Sequence, residues 1–159
     1  MIPMIKLFIF ICLTPMFLYS ANTLTAVTLP DQFETVTPIN EETEWIVFSM
    51  NHEVSDVINK AIEDLKITDI QSLKGAYVSD ISKMPSMISK MIALPKMRKY
   101  TFKVLLDKEG DITKTWPRKD LKATIINLKK LEISEVVHTD QIAVIKKFLL
   151  DKKEQPIKK

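Results

Sequence analysis

The side chains best suited to chemistry lie in one short turn, between an apolar run and a stretch with helical periodicity. Met50, Asn51, His52 and Ser55 follow the apolar residues 46–48 and open the helical stretch. A histidine at the start of a helix is a candidate base or ligand, since the positive end of the helix dipole favours the neutral imidazole. We therefore take these four residues as a candidate site for a ligand or a partner. The alternative is an ordinary exposed first turn.

Methionine offers a second chemistry, because thioether sulfur is a ligand for Cu(I). The residues that suggest it are Met50, Met84, Met87, Met91 and Met97. Together with His52 they make copper handling the alternative function. One helical face, however, combines most of them with isoleucine: Met84, Met87, Ile88, Met91 and Ile92. Methionine is an ordinary core filler, so we predict that this stripe is buried and that no metal site is present.

Other catalytic patterns are missing from the sequence. It has two glycines, no phosphate-binding loop, no nucleophile elbow and no zinc motif, and its two histidines are far apart. We therefore expect no cofactor and no catalytic residue, which favours a non-enzymatic function.

Basic residues cluster between the second predicted helix and the fourth predicted strand, where they form a candidate rim. The rim consists of Arg98, Lys99, Arg118, Lys119 and Lys122. It would suit a small anionic ligand or another exported protein with an acidic surface. The alternative is a solvated face neutralised by acids such as Asp107, Asp111 and Asp120. Trp116 in this region is either an exposed interaction anchor or a cap on the core.

The first twenty residues predict a signal peptide. Lys6 is followed by the apolar residues 7–19 and then by the small residues Ser20 and Ala21. This apolar stretch, with Pro15 inside it, is shorter than the roughly 20 residues that a membrane anchor needs. We therefore expect a periplasmic or secreted protein that contacts a membrane only through the signal peptide, during export.

Cysteine usage limits the chemistry further. Cys12 is the single cysteine of the chain, and it lies within the predicted signal peptide. The exported chain is then expected to carry no thiol. That excludes a disulfide, a cysteine nucleophile and a cysteine-ligated zinc ion.

Length and composition are those of one globular domain. The chain has 159 residues, of which 46% are hydrophobic and 27% charged, so it can fill a core. The formal net charge of +3 is too small to predict nucleic-acid binding. We expect the domain to span residues 43–151, preceded by an extended lead-in at 21–42 with one edge strand around 33–37. Residues 152–159 predict a charged tail.

Hydrophobic periodicity predicts alternating strands and helices within the domain. The apolar runs 46–48, 75–78 and 102–106 predict three strands, and residues 123–128 and 131–137 predict a closing hairpin. Helices are predicted after each of the first two strands and after the hairpin. The order β-α-β-α-β-β-β-α predicts an α/β fold, with a mixed sheet of four or five strands and about three helices on its two faces.

Four local signals refine this outline. Ser82 and Thr139 are the predicted N-caps of the second and the last helix. Gly110 is expected to form a turn with positive φ after the third strand. His138 is expected in the loop before the last helix.

This order and its spacing resemble the thioredoxin-like fold, and within it the periplasmic redoxin branch of peroxiredoxin and cytochrome-maturation types. The resemblance is carried by the strand IVFS before the first helix and by the segment FKVLLDKEGDITKTW before the last hairpin. It covers most of residues 45–150. It implies a thioredoxin-like fold whose functional turn lies at the start of the first helix.

The chain departs from that family at both halves of its site. Proteins of this kind carry a Cys-x-x-Cys or a single reactive cysteine where this chain has residues 50–53, which contain no cysteine. They also carry a cis-proline before the fourth strand, where this chain has residues 121–123 without proline. We therefore predict an exported binding or accessory protein without thiol–disulfide activity.

Overall fold

The structure is a computed structural model that describes residues 22–155. The predicted signal peptide, including Cys12, lies outside the described residues, as does the end of the predicted tail from residue 156. Within the described range, no helix is both long enough and apolar enough to cross a membrane.

Two short strands precede the predicted domain. β1 (Val27–Pro30) pairs antiparallel with β2 (Val36–Ile39). The turn between them forms because Asp31 Oδ1 accepts hydrogen bonds from the N–H groups of Phe33 and Thr35, at 2.8 and 2.9 Å. The extended lead-in is therefore a hairpin, and its second strand lies later in the chain than the predicted edge strand.

Five strands form the central sheet, in the order β5-β4-β3-β6-β7. Their bounds are β3 (Trp45–Ser49), β4 (Gly75–Asp80), β5 (Leu105–Asp107), β6 (Ala123–Lys129) and β7 (Glu132–Thr139). β3 runs parallel to β4 and β4 to β5, since helical crossovers connect them. β6 and β7 form an antiparallel hairpin beside β3. The predicted mixed sheet is confirmed.

Three helical segments flank this sheet, as predicted. α1 is His52–Asp64 and α3 is Ile142–Glu154. Between them, α2 is one continuous run of three pieces: Ser86–Ile88, a π-helical turn at Ser89–Ala93, and Leu94–Met97.

The side chains of β3 divide the core into two clusters. Trp45 and Val47 belong to the cluster on one face of the sheet, and Ile46 and Phe48 to the cluster on the other face. Successive residues of a strand point to opposite faces, and all of β3 is buried, so both faces need a cover.

All three helices cover the same face. α1, α2 and α3 contribute Ile58, Leu94 and Ile145 to one cluster. The opposite face is covered by Leu29 of the β1–β2 hairpin and by Trp116. The expectation of helices on both faces is wrong, because the hairpin occupies the second face.

The hydrophobic stripe of α2 points into solvent, contrary to prediction. Met87 and Met91 are 71% and 70% exposed, whereas Leu94 is 7% exposed. In a regular α-helix residues seven apart share a face, so Met87 and Leu94 would lie together. The π-helical turn between them places one more residue in each hydrogen-bonded ring, which rotates the second half of α2 relative to the first. The predicted burial of Met87, Ile88, Met91 and Ile92 is therefore wrong.

Neither Ser82 nor Thr139 is the N-cap of its helix, because each is engaged in another local hydrogen bond. The N–H and the hydroxyl of Ser82 donate to Asp80 Oδ1 at 2.9 and 2.6 Å, which forms a separate turn, and α2 begins later. Thr139 Oγ1 accepts a hydrogen bond from the N–H of Gln141 at 3.0 Å, and Gln141 occupies the N-cap position of α3 without a side-chain cap bond. α3 continues to Glu154, so the start of the predicted tail is helical.

Two further local predictions have different outcomes. His138 lies within β7, where its Nδ1 is 3.0 Å from Thr124 Oγ1, so the expected loop position is wrong. Gly110 has a φ of +74° in a turn, as predicted. The carboxylate of Asp107 organises that turn by accepting hydrogen bonds from the N–H groups of Gly110 and Thr113, at 2.9 and 2.8 Å.

Candidate functional site

A cavity of about 290 Å³ opens where β3 and β4 end and α1 begins. β3 and β4 are parallel, so Ser49 and Ser79 lie side by side at the C-terminal ends of these strands. Ligands of open α/β sheets bind outside the carboxyl ends of parallel strands. From α2 the cavity is lined by Ala93, Lys96 and Met97. The fold thus forms a pocket between α1, α2 and the end of the sheet.

The floor of the cavity is built from buried hydroxyl groups. Ser49 and Ser55 are hydrogen-bonded through their Oγ atoms at 2.9 Å, and Ser49 Oγ also donates to Ser79 Oγ at 3.3 Å. Ser55 Oγ also lies 3.1 Å from the carbonyl oxygen of Asn51, so its one proton is shared between two acceptors, this carbonyl and Ser49 Oγ. All three serines are buried. Buried hydroxyls need partners, and these groups satisfy one another.

Tyr77 lies beside this serine cluster, near the centre of the sheet. Burial raises the pKa of its phenol to about 12, while the hydroxyls of Ser49 and Ser55 act in the opposite direction. Tyr77 is therefore a neutral phenol at physiological pH.

A network built on an ion pair between Asp56 and Lys96 connects α1 to α2 at the rim of the cavity. Asp56 Oδ1 is 3.0 Å from Lys96 Nζ, and Asp56 Oδ2 is 3.5 Å from His52 Nε2. The hydrogen bond to Asp56 raises the pKa of Lys96. The three side chains are exposed, so solvent screens the network and its contribution to stability is small. It connects α1 to α2 across the mouth of the cavity.

Asn59 shows the clearest sign of an unsatisfied ligand position. Its Nδ2 donates to the hydroxyl of Tyr100 at 2.9 Å, yet its Oδ1 is buried without a hydrogen-bond partner in the described part of the chain. An unpaired buried acceptor costs about 1–3 kcal/mol. Because Asn59 lines the cavity, a ligand with an N–H or O–H donor could remove that cost.

The four residues predicted as a ligand or partner site all line this one cavity: Met50, Asn51, His52 and Ser55. Asn51 has a second role, because its Oδ1 accepts a hydrogen bond from the N–H of Leu121 at 3.3 Å. The segment before β6 therefore faces the start of α1, which is the relation that the family resemblance implied.

The basic residues predicted as a rim do not converge on one place. Arg98 Nε donates to a carbonyl of the β1–β2 turn at 3.0 Å. Arg118 lies 3.8 Å from the buried Asp80, and Lys122 lies 3.5 Å from Asp140. Three of the five charges are thus engaged at three separate positions, and none of the five lines the cavity.

The other two rim residues, Lys99 and Lys119, are exposed. Trp116, close to Lys119 in sequence, is 5% exposed, and its ring meets that of Phe48 edge-on with centroids 5.8 Å apart. Trp116 therefore caps the core, and the alternative of an exposed anchor is wrong.

Potential metal ligands separate into two sets. No group of three or more His, Cys, Asp or Glu side chains within residues 22–155 is arranged to hold a metal ion. Met50, Met84 and Met97 line the cavity together with His52. Met87, by contrast, points into solvent with the rest of the exposed stripe.

Several residues that line the cavity were not assigned to it from the sequence, among them Asn59, Lys96 and Tyr100. Asn59 lies four residues after Ser55, so a polar pair at i, i+4 beside the apolar face of the helix was the available signal. Lys96 and Tyr100 had no local signal, because their partners lie 40 and 41 residues earlier in the chain.

Comparison with protein-family models and with curated protein sequences gives no match. Solved structures do match. Peroxidoxin BcpB from Mycobacterium tuberculosis is 15% identical, over 83% of this chain and 94% of that chain, with a TM-score of 0.54. A SCO1/SenC family lipoprotein from Bacillus anthracis is 12% identical, over 83% and 95% of the two chains, with a TM-score of 0.53. StoA from Bacillus subtilis is 12% identical, over 79% and 96%, with a TM-score of 0.52.

At these identities the similarity concerns the fold alone. It covers 94%, 95% and 96% of the lengths of the three matched structures, in the order given above from BcpB to StoA. The chain therefore has the thioredoxin-like fold, and it is structurally similar to redoxins at low sequence identity.

Proposed function

We propose that this chain is an exported binding protein of thioredoxin-like fold, which holds a small ligand in the cavity at the start of α1 and performs no thiol–disulfide exchange. The main support is the content of the cavity, where buried serine hydroxyls and the unpaired Asn59 Oδ1 surround the position that the resemblance assigns to reactive cysteines. Export is inferred from the signal-peptide pattern of the first twenty residues.

The start of α1 offers no group for thiol chemistry. Residues 50–53 are Met-Asn-His-Glu. Disulfide exchange requires a thiolate that attacks a disulfide sulfur, and neither a thioether nor an imidazole can take that part. The sole cysteine, Cys12, lies in the segment that we propose is removed on export.

The lining of the cavity indicates the class of ligand. Lys83 is exposed on the lining and makes no ion pair within residues 22–155, so it can meet an anionic group. Asn59 Oδ1 needs a hydrogen-bond donor. Glu53, also exposed on the lining, disfavours a multiply charged anion. These requirements fit a small molecule with a single carboxylate and an N–H or O–H group, the class of amino acids and hydroxy acids.

Thermal melting of the purified chain with a panel of free amino acids and α-hydroxy acids tests this ligand class. A ligand at about 100 times its dissociation constant stabilises the native state by about 2.7 kcal/mol, which raises Tm by several degrees. The increase should be lost in Lys83→Gln and in Asn59→Ala, and retained in Lys119→Gln, which changes an exposed lysine outside the cavity. No increase with any compound, or one that survives both cavity substitutions, would contradict the proposal.

The absence of thiol chemistry has a separate test. The chain starting at Asn22 should show no disulfide reductase activity and no peroxidase activity above the buffer rate. Clear turnover by that chain would overturn this part of the proposal, whatever the ligand experiment shows.

Cu(I) binding is the second candidate function, because Met50, Met84, Met97 and His52 line the same cavity. Thioether and imidazole groups are suitable ligands for this ion. Titration with Cu(I) should raise Tm, and the increase should shrink in Met50→Leu and His52→Ala but persist in Met87→Leu, whose side chain lies outside the cavity. An unchanged Tm with the metal would rule this function out.

A further inference from the structure

α2 presents four large apolar side chains to solvent. Met87, Ile88, Met91 and Ile92 are 71%, 45%, 70% and 63% exposed, and together they form the α2 ridge. None of the four lines the cavity, and α2 packs on the sheet through other residues, among them Leu94. A contiguous exposed apolar surface of this kind marks an interaction site.

The chain around the ridge is uniformly basic. Residues 81–106 contain no acidic side chain and six basic ones: Lys83, Lys90, Lys96, Arg98, Lys99 and Lys103. Lys96 is neutralised by Asp56. The remaining four lysines are exposed and make no ion pair within residues 22–155: Lys83, Lys90, Lys99 and Lys103. The ridge therefore requires a partner that is apolar at its centre and anionic around it.

We propose that α2 docks on the surface of an anionic phospholipid bilayer, with the ridge inserted at the boundary of headgroups and acyl chains. Helices with an apolar face and flanking lysines lie in the membrane interface in this way, and anionic headgroups attract the lysines. The sequence-based expectation confined membrane contact to the signal peptide because it treated the ridge as part of the core.

A second copy of this chain fits the ridge less well. A symmetric dimer places the same patch on both subunits, so the unpaired lysines of one copy would face those of the other. The ridge is also convex, since its methionines are about 70% exposed, and a protein partner would need a matching groove. A fluid bilayer surface accepts a convex apolar ridge without such a groove.

The β1–β2 turn adds an aromatic side chain beside the end of α2. Gln32 Nε2 donates to the carbonyl of Phe102 at 2.8 Å, and Arg98 Nε donates to the carbonyl of Gln32 at 3.0 Å. These bonds fix the turn against the C-terminal end of α2. Phe33 follows Gln32 and is 52% exposed. Exposed aromatic rings are favoured at the membrane interface, which supports the same partner.

Sedimentation with vesicles tests the proposal, with phosphatidylcholine vesicles compared to vesicles that also contain phosphatidylglycerol. Both the full chain and the chain starting at Asn22 are used, so that binding through the first residues is measured separately. We expect the shorter chain to bind the anionic vesicles at least about tenfold more tightly than the phosphatidylcholine vesicles. Each unpaired lysine near an anionic surface contributes about fivefold to the affinity. Raised salt should weaken that binding.

The decisive variant is the double substitution Met87→Ser with Met91→Ser, which should weaken binding to anionic vesicles by about tenfold. Its matched control, Val144→Ser with Leu150→Ser, changes exposed apolar residues of α3 and should leave binding unchanged. Lys90→Gln with Lys99→Gln should weaken binding, whereas Lys129→Gln with Lys130→Gln should not.

Four results would overturn the proposal. The first is equal binding to neutral and anionic vesicles, and the second is loss of binding when residues 1–21 are removed. The third is unchanged binding to anionic vesicles when Met87 and Met91 are both replaced by serine. The fourth is a dimer in sedimentation velocity that the ridge substitutions dissociate, which would assign the ridge to a second copy. Because the ridge lies outside the cavity, the ligand-induced increase in Tm should be the same in the ridge variant, so the two proposals fail independently.

Discussion

The cavity at the start of α1 and the ridge of α2 share one helix, yet they distribute polarity in opposite ways. In the cavity, polar groups are buried, with Ser49 1% and Asn59 7% exposed. On the ridge, apolar groups are exposed, with Met87 71% and Met91 70% exposed. Burying a polar group without a partner, as at Asn59 Oδ1, and exposing a large apolar one both cost free energy. Stability alone explains neither region, which is why both are proposed as places of contact with other molecules.

The contrast arises within α2 itself. Its π-helical turn, Ser89–Ala93, separates a first half that carries exposed Met87 from a second half that carries buried Leu94. A single regular helix would place these two residues on one face. The irregular turn thus lets one helix close a cavity and also present a ridge.

The largest expected difference between the two halves of α2 is in the free energy of unfolding of variants at Leu94 and Met87. Leu94→Ala removes a buried side chain and should lower the free energy of unfolding by about 2–5 kcal/mol. Met87→Ala, seven residues earlier, should change it by less than about 0.5 kcal/mol, because that side chain is already in solvent. Urea denaturation of both variants measures the difference. Equal losses would show that the two halves of α2 are buried alike.

High pH should destabilise the cavity side through Tyr77. The pKa of Tyr77 is raised from 10.0 to about 12 in the folded protein, so the folded state holds this proton more tightly than the unfolded state. The resulting stabilisation is complete below pH 10 and is lost as the pH rises towards 12, at up to about 1.4 kcal/mol per pH unit. Denaturation across this range should therefore show falling stability.

Tyr77→Phe is the variant that identifies this group, and it should remove most of the slope. Burial also raises the pKa of Tyr100, which is only half-buried, so Tyr100→Phe should flatten the same curve to a smaller degree. A slope unchanged by Tyr77→Phe would assign the alkaline instability to other groups.

Removal of one hydroxyl from the cavity floor should have an intermediate effect. Ser49→Ala takes away the group that bonds both Ser55 and Ser79, and it should cost about 1–2 kcal/mol. Ser134→Ala removes an exposed hydroxyl that donates to a carbonyl of β6, and it should cost less than about 0.5 kcal/mol. If thermal melting ranked the two variants the other way, the buried cluster would not be a stabilising network.

Oxidation of methionine should distinguish the cavity from the ridge, and of the experiments proposed it should change stability the least. Dilute hydrogen peroxide should convert Met87 and Met91 to sulfoxides well before Met97, which is 9% exposed. Peptide mapping by mass spectrometry measures the order. If Met97 were oxidised as fast as Met87 and Met91, the cavity side of α2 would be as accessible as the ridge.

The sequence was sufficient for the sheet because its central strands carry runs of buried apolar residues. β3 is buried at each of its five positions, and the crossover from β3 through α1 to β4 requires parallel pairing. The β1–β2 hairpin was not predicted, because its strands are four residues long and each contains a proline. Proline at Pro30 and Pro38 weakens any strand signal.

Only those residues of the site that lie close together in the sequence could be predicted. Met50, Asn51, His52 and Ser55 were placed together because they lie within six consecutive residues, 50–55. The pairing of Asn59 with Tyr100 joins residues 41 apart, and hydrophobic periodicity carries no information about such a contact. The burial of α2 was mistaken for a related reason, since a π-helical turn changes hydrogen bonding and not composition.

The π-helical turn of α2 has one consequence for changes in chain length. A turn of this kind holds one residue more than a regular turn, so deletion of a single residue between 89 and 93 would leave a regular helix. In that shorter helix Met87 would stay in solvent and Leu94 would stay on the core. The segment is therefore a position where the protein tolerates losing a residue, whereas insertion of one there would turn Leu94 away from its neighbours.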